Sequence, residues 1–537
     1  MAGGRGTSVA VDSAGNVITA GRFFGKADLD SREDTLILDG NGYFIAKYDP
    51  TGKIIWGVQL APVNDFFLTG DIATDGQGNV YATGYFKGNV DFDPGQGTVM
   101  LSKFGNYDVF ILKLDADGIF QWAKQFGGPN DDFGTGLSIQ GSNIYLTGAY
   151  QRFMEFGAGQ AQLSLTAIGR QDVFVAKLNT DGNVLWTKSL GGYGDDIGRT
   201  ISVGASGNVY ISGYFSSNGD FDPAEEEEFT LFWGGGDDTF IVKLDGNGSF
   251  VWARSVGGKN SDRSVRIGID QNEHIYVTGD FYESGDFDPS PKNLKLTSMG
   301  KKDIFILKLN SGGDLLWANS FGGESDDEVR SMTIDNRGNL YLTGAFTGRV
   351  DFDPGVETVE LKADTTYAGM MDGFVMNLTS DGKFRWARPF GSEYNDIGYA
   401  IAADKQMNVF ITGMFKGKVD FDPSDDTLHL SASGGDDYFL LKFVPIISSI
   451  DEGIAPGSTA MLSSVITHGP LYLNWIPALD KALTIQLYSL EGNLLKEFSL
   501  MPQPKLHIDL SDQPQGTYLL KLTSGSESFW AKVNVVK

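Results

Sequence analysis

The chain has 537 residues, 71 of them glycine and none cysteine, long enough for a large core and more than one domain and suited to turn-rich β structure. Without cysteine there is no disulfide framework, no thiolate metal site and no cysteine nucleophile. A net charge of −27 argues against nucleic acid and anionic membrane, which would be repelled, and leaves cations and basic proteins as charge-matched partners.

The N-terminus runs straight into a β-like segment, Thr7–Asp12. No charged stretch followed by an apolar one precedes it, and no apolar run is long enough to span a membrane, so the chain reads as a mature or truncated form. Repetition then dominates. Trp56, Trp122, Trp186, Trp252, Trp317 and Trp386 close successive units at spacings of 66, 64, 66, 65 and 69 residues, the mark of a repeat architecture. Each unit carries four β-like segments bounded by turn residues, termed a to d here. In the unit ending at Trp386, a is Ser331–Asp335, b is Leu340–Phe346, c is Gly373–Leu378, and d runs through Trp386 to Phe390. Four short strands without intervening helices are what a β-propeller blade needs. A glycine in b (Gly21, Gly84, Gly148, Gly213, Gly279, Gly344 and Gly413) counts seven blades.

The stretches 127–150, 191–214 and 322–345 resemble the SBBP-type β-propeller repeats, a likeness that covers most of residues 1–443 and implies a fold rather than an activity. The turn from Asp115 to Gly118, followed by Trp122, is similar to the tryptophan-docking motif of quinoprotein dehydrogenases. Those have eight blades and a vicinal cysteine pair that this chain lacks, so Trp122 and its equivalents are expected to be buried wedges between blades.

The last unit has segments a to c and then breaks pattern: Val444–Ile450 stands where the d turn and strand should be. Segment c, Asp437–Phe443, is thereby left with an edge that Val444–Ile450 folding back, another part of the chain or a neighbouring molecule would cover, the last making it a self-association site. A Gly-, Ser- and Pro-rich linker follows, and then alternating strands at 483–500, 506–522 and 528–537. This tail resembles the type A C-terminal sorting domain of the Bacteroidetes type IX secretion system, through Tyr488–Gly492, Ile508–Leu510, Gly516–Lys521 and Lys532–Lys537. The resemblance implies passage through the outer membrane, the secretion machinery as a partner, and a place outside the cell or on its surface. The expected organisation is all-β: a seven-bladed β-propeller over 1–445, a linker over 446–464, and a small Ig-like β-sandwich sorting domain over 465–537.

Chemistry is sparse. The four histidines (His274, His429, His468 and His507) share no repeat position, and no HExxH, GxSxG or phosphate-cradling loop occurs. No cofactor is expected with certainty. Acidic residues are the informative feature. In a four-stranded antiparallel meander the b–c and d–a connections emerge on one face. The b–c loops carry Asp91 and Asp93, Asp220 and Asp222, Asp286 and Asp288, Asp351 and Asp353, and Asp420 and Asp422, each pair flanking a Phe. The d–a loops carry Asp131-Asp132, Asp195-Asp196, Asp262, Asp326-Asp327 and Asp396, and c strands open with Asp108, Asp172, Asp238, Asp303, Asp372 and Asp437. Two readings stand open. In one, these carboxylates bond backbone N–H groups and shape turns, with the Phe packed inward. In the other, the two carboxylates of each Asp-Phe-Asp join the Asp of strand c around Ca²⁺, a hard cation that takes about 6–8 oxygens. The third unit, with Glu155-Phe156-Gly157, does not copy that site.

Three function classes follow. The first is a secreted or cell-surface, non-enzymatic propeller that binds a protein or glycan or acts as an adhesion scaffold. The second is a structural subunit of an extracellular filament or surface layer. The third is an extracellular polysaccharide-active hydrolase or lyase, which would use an asymmetric pair of carboxylates. The lack of an asymmetric polar cluster favours the first two over the third, and the first is the reading adopted.

Overall fold

The computed structural model describes residues 3–30, 36–60, 66–67, 70–157, 163–224, 226–363, 369–421, 428–433, 435–443, 460–461, 471–475, 483–489, 494–500, 505–508, 516–524 and 527–535. Every regular element among them is a β-strand, and the chain divides into two compact units, Met1–Phe443 and Val444–Lys537. No helix among the described residues is long and apolar enough to cross a membrane.

The local logic is plain in one repeat. Glu328–Ile334, Leu340–Phe346, Asp372–Leu378 and Phe384–Phe390 pair antiparallel in that order. The second and third strands are buried on both faces and accordingly read as nearly continuous apolar runs, whereas the outermost alternates. The first hairpin is closed by Asp335, which accepts from the N–H groups of Arg337 and Asn339, with Gly338 at φ 82° supplying the turn that a Cβ would strain. The Thr343-Gly344 pair that marks the b strand has two separate duties. The Thr343 hydroxyl donates to the Phe374 carbonyl across the sheet at 2.7 Å. A Cβ on Gly344 would lie 1.9 Å from the Glu328 carbonyl oxygen, so only glycine permits the close approach of strand a.

The same meander recurs along Met1–Phe443, and its a strands neighbour one another in chain order. Gly3–Val11 lies beside Ile72–Thr74, which is followed by Phe133–Gln140, Ile197–Val203, Arg263–Ile269, Glu328–Ile334 and Ile397–Ala403; the last lies again beside Gly3–Val11. The unit is a β-propeller arrangement in which the a strands surround the axis. Closure uses the contact that joins consecutive repeats: Lys47 Nζ donates to the Ala116 carbonyl of the next repeat, and Lys442 Nζ donates to the Pro50 carbonyl of the first.

The tryptophans also join consecutive repeats. The indole N–H of Trp56, Trp122, Trp186, Trp252 and Trp317 donates to the carbonyl of Ala116, Thr180, Gly246, Ser311 and Ser380, in the c–d turn of the next repeat, at 2.9–3.4 Å. The rings lie on that turn so closely that a Cβ on Gly118 would come within 2.7 Å of Trp56. Their expected burial is corrected in degree. All six sit on the outermost strand, where five are half-buried; Trp252 is buried, with Arg254 5.3 Å over its ring.

Counting sheets differs from counting repeats. Among the described residues of Met1–Phe443, hydrogen bonding produces five sheets of four or more strands, one of them with ten. Fusion occurs where the glycine pair after a d strand bonds the loop of the next repeat, as Gly191-Gly192 does with Gly219-Asp220 and Gly257-Gly258 with Gly285-Asp286.

Strand Asp437–Phe443 pairs with Val409–Phe415. The segment expected to cover its other edge, Val444–Ile450, lies outside the described residues. In Val444–Lys537, Ala460–Met461, Leu471–Trp475 and Lys505–Ile508 form one antiparallel sheet, and Leu494–Leu500, Leu483–Tyr488, Gly516–Ser524 and Glu527–Val535 form another.

Candidate functional site

The acidic loops come first, because the sequence points to them. Asp91 accepts from the N–H groups of Asp93 and Val99, Asp286 from Asp288 and Leu294, Asp351 from Asp353 and Val359, and Asp220 from Asp222 and Phe229. Asp420 accepts from Leu428. Asp93, Asp222, Asp288 and Asp353 each cap the N–H two residues on. The intervening Phe92, Phe221, Phe287, Phe352 and Phe421 are fully buried or nearly so. The Asp residues opening strand c look back into their own loop: Asp108, Asp238, Asp303 and Asp437 accept from the N–H four residues earlier, and Asp372 is buried at the same place. Among the described residues, these carboxylates form no group of three that would hold a metal ion. Asp422 lies outside the described residues. Their observed partners are turn N–H groups.

The aspartates of the d–a loops are buried still deeper. Asp132, Asp196, Asp262, Asp327 and Asp396 are fully buried and accept from Gly128, Gly192, Gly258, Gly323 and Ser392 with one oxygen. The other oxygen of Asp327 and of Asp396 takes the N–H of Thr347 and of Lys416, which ties the d–a loop to the b–c loop of the same repeat. Asp238 and Asp262 come within 2.4 and 3.1 Å of the point a Cβ on Gly257 would occupy, so the recurring glycine is the space in which two carboxyls meet. Burial, and after it the neighbouring carboxylates, push Asp132 up to about 8 and Asp196, Asp262 and Asp327 to about 7, against the pull of their backbone N–H donors.

A second constellation breaks the repeat symmetry. In six a strands the register slips by one residue: between Gly6 and Ser8, Gly134 and Gly136, Gly198 and Thr200, Ser264 and Arg266, Val329 and Ser331, and Gly398 and Ala400. The extra residue of such a bulge leaves the ladder and its side chain is re-aimed. Here the extra residues are Thr7, Thr135, Arg199, Val265, Arg330 and Tyr399. They follow the d–a loops directly, on a strands that surround the axis; Val265 packs against the hydrophobic core, whereas Arg199 and Arg330 are exposed at the mouth. Arg330 and Arg5 lie 5.9 and 5.7 Å from the Tyr399 ring centroid, and Arg5 donates to the Tyr399 hydroxyl at 3.3 Å. Arg263 lies 4.7 Å over Tyr214 and bonds Asp237 through Nε at 2.7 Å.

Arg199, Arg263 and Arg330 are exposed and stand on three adjoining a strands. The enclosing walls first, then the charges of Arg330 and Arg263, lower the pKa of Arg199 against the raising influence of Tyr214 and Asp280. Arg22 is lowered likewise by its surroundings and then by Arg5. Glu328 takes Lys302 and Arg330, and Lys302 also faces Asp280, whose carboxyl burial pushes up to about 7. Among the described residues, Arg5, Arg22 and Arg199 have no carboxylate partner. Beside them stands an aromatic arc of Tyr85, Tyr107 and Phe133, with centroids 4.8–5.8 Å apart. One residue past the bulge of its strand, Arg266 crosses the interior to both oxygens of Asp71 at 2.6–2.7 Å.

None of these mouth residues was singled out by repeat reasoning, which treats a strands as interchangeable. Their signal was present as a column of the repeat whose chemistry changes from Thr7 to Arg199, Arg330 and Tyr399.

Residues 468–537 match the family of secretion system C-terminal sorting domains. An uncharacterized WD repeat-containing protein of Acanthamoeba polyphaga mimivirus is 24% identical over 507 residues, covering 76% of this chain and 35% of that protein. The regulatory protein FlaEY of Caulobacter vibrioides is 24% identical over 231 residues, covering 40% of this chain and 22% of that protein. The chain thus spans about a third or less of the length of these relatives. A trypsin-activated alpha-2-macroglobulin from Escherichia coli, 9% identical, aligns over 99% of this chain and 55% of that one with a TM-score of 0.10, too low to bear on the fold. The chain is an exported protein: a β-propeller followed by a type IX C-terminal sorting domain that directs it to the cell surface or the extracellular space.

Proposed function

We propose that Met1–Phe443 is a seven-bladed β-propeller of the SBBP type that works as a non-enzymatic binding scaffold outside the cell, with an Ig-like β-sandwich as its sorting domain. The blade count rests on a strands that neighbour one another from Gly3–Val11 round to Ile397–Ala403 and back. The observation that carries the binding role is the convergence of unlike side chains, Arg199, Arg330 and Tyr399, on bulges at one mouth of a repetitive ring. Repeats that serve only folding stay alike, and this position does not. The name of the viral relative, which says that it contains WD repeats, agrees with a repeat scaffold. The d–a loop carboxyls of Asp132, Asp196, Asp262, Asp327 and Asp396 are spent alike on backbone N–H groups, and of the carboxylates at the mouth Glu328 is held by Lys302 and Arg330 while Asp280 faces Lys302, which favours binding or adhesion over catalysis.

The test is a screen of the purified protein against glycan arrays and against the proteins of the surrounding medium, with wild type beside Arg330→Ala and Tyr399→Ala. A ligand retained by wild type and lost by both variants is the expected result. A ligand held equally by all three places binding elsewhere and removes the mouth from the reading.

A further inference from the structure

We propose that the mouth binds a sparsely charged acidic glycan, with the acid group of one sugar held by Arg199 and its neighbours and the sugar ring lying on the arc of Tyr85, Tyr107 and Phe133. This deepens, and rests on, the assignment of binding to the mouth.

Charge carries the first half of the argument. In a chain of net charge −27, Arg5, Arg22, Arg199, Arg263 and Arg330 stand on strands around one opening, with Arg5 opposite Arg22 and both Arg5 and Arg330 over Tyr399, and among the described residues Asp237 pairs with Arg263 and Glu328 with Arg330. Like charges drawn together in a walled site repel one another, a cost that a bound anion removes. A guanidinium is the side chain suited to that task. Its planar fork meets the two oxygens of a carboxylate or sulfate in parallel, and Arg199 makes no hydrogen bond or ion pair among the described residues that would have to be broken first. The bulge holds it on a strand and not on a loop.

The surroundings narrow the class. Arg22 lies opposite Arg5 and Tyr43 in the sheet of the first repeat, and Tyr85, Tyr107 and Phe133 cluster in the repeats that follow it. Half-buried aromatic faces next to a few charged groups suit a ring with apolar C–H faces and a polar edge. The Asp71–Arg266 pair joins strands far apart in the ring, an arrangement that favours an end or a side group over a chain running through the axis. The surrounding loops, rich in aspartate, repel a dense polyanion at long range, whereas a single charge placed between the arginines lies inside that screen.

Uronates and sulfated sugars share this chemistry, and the experiment separates them. A neutral oligosaccharide carrying one glucuronate, its carboxyl-reduced form, and the same backbone carrying one sulfate are titrated by calorimetry into wild-type full-length protein, with heparin as the dense polyanion. Expected is binding of the uronate or the sulfate form at least tenfold tighter than the neutral one, weakened as salt rises. Arg199→Ala should lose at least tenfold in affinity with an unchanged melting curve, Arg199→Lys should fall between, and Tyr107→Ala should weaken the acidic and neutral forms alike. Equal affinity for charged and neutral sugars, tighter binding of heparin than of the singly charged probes, or an Arg199→Ala variant with wild-type affinity overturns the proposal. If the acidic probes fail but the screen yields another ligand lost in Arg330→Ala and Tyr399→Ala, the acidic-glycan class is wrong and binding at the mouth stands. If no ligand depends on these residues, both fall.

Discussion

The rim and the mouth lie on one face of the same ring and obey opposite rules. At the rim, Asp132, Asp196, Asp262, Asp327 and Asp396 occupy one repeat position, and each bonds the N–H four residues earlier. At the mouth, Thr135, Arg199, Val265, Arg330 and Tyr399 occupy one repeat position and no two neighbours agree. What is copied serves the element that is copied, a turn that must close in every blade. What is varied serves something that meets all the blades at once. The contrast is the physical reason to look for function at the mouth, although the rim has the larger number of carboxylates.

The comparison breaks first at its strongest point. Asp327→Ala leaves the N–H groups of Gly323 and Thr347 unpaired in a buried loop, and the expected cost is about 3 kcal/mol. Chemical denaturation measures it. A loss no greater than that of a surface substitution would remove the structural role assigned to the rim. Trp317→Ala comes next, at about 2 kcal/mol, below the range for a fully buried Trp because the ring is half-exposed. It should also loosen the Ser380–Gly382 turn in the next repeat, visible as faster hydrogen exchange there. Protection unchanged in that turn would refute docking between repeats.

A smaller effect concerns pH. The rim carboxyls of Asp132, Asp196, Asp262 and Asp327 are raised from 3.8 to about 7–8 by burial. Their folded forms therefore hold a proton that the unfolded chain has released. The stability they contribute is complete below about pH 4 and is lost as pH rises through about 7–8. The melting temperature should fall between pH 5 and pH 8.5, and a steady rise over that interval would contradict neutral rim carboxyls. Smallest of all, excess chelator should leave the melting curve unchanged, since the described loop aspartates already have turn N–H partners. A drop in melting temperature with stoichiometric Ca²⁺ by elemental analysis would return the Asp-Phe-Asp loops to metal binding.

The contrast also explains what was legible in advance. The position of each strand, the inward Phe of the Asp-Phe-Asp loops and the glycine of each b strand follow from short-range rules: alternation, turn chemistry, and a carbonyl 1.9 Å from where a Cβ on Gly344 would be. Such rules act within a few residues, and repetition shows them many times over. The sorting tail was legible for another reason, its match as a unit over residues 468–537. Three features depended on the fold. The half-exposure of Trp56, Trp122, Trp186, Trp317 and Trp386 depends on which strand is outermost. The fusion of neighbouring repeats through Gly191-Gly192 and Gly257-Gly258 depends on where the next loop passes. The pairing of Arg266 with Asp71, 195 residues apart, and the gathering of Arg5, Arg199 and Arg330 around Tyr399 exist only because the chain closes into a ring. Sequence alone thus determined the element and its repetition, which are local; ring closure decided which unlike residues face one another, because charges and aromatic rings act through space whatever their separation along the chain.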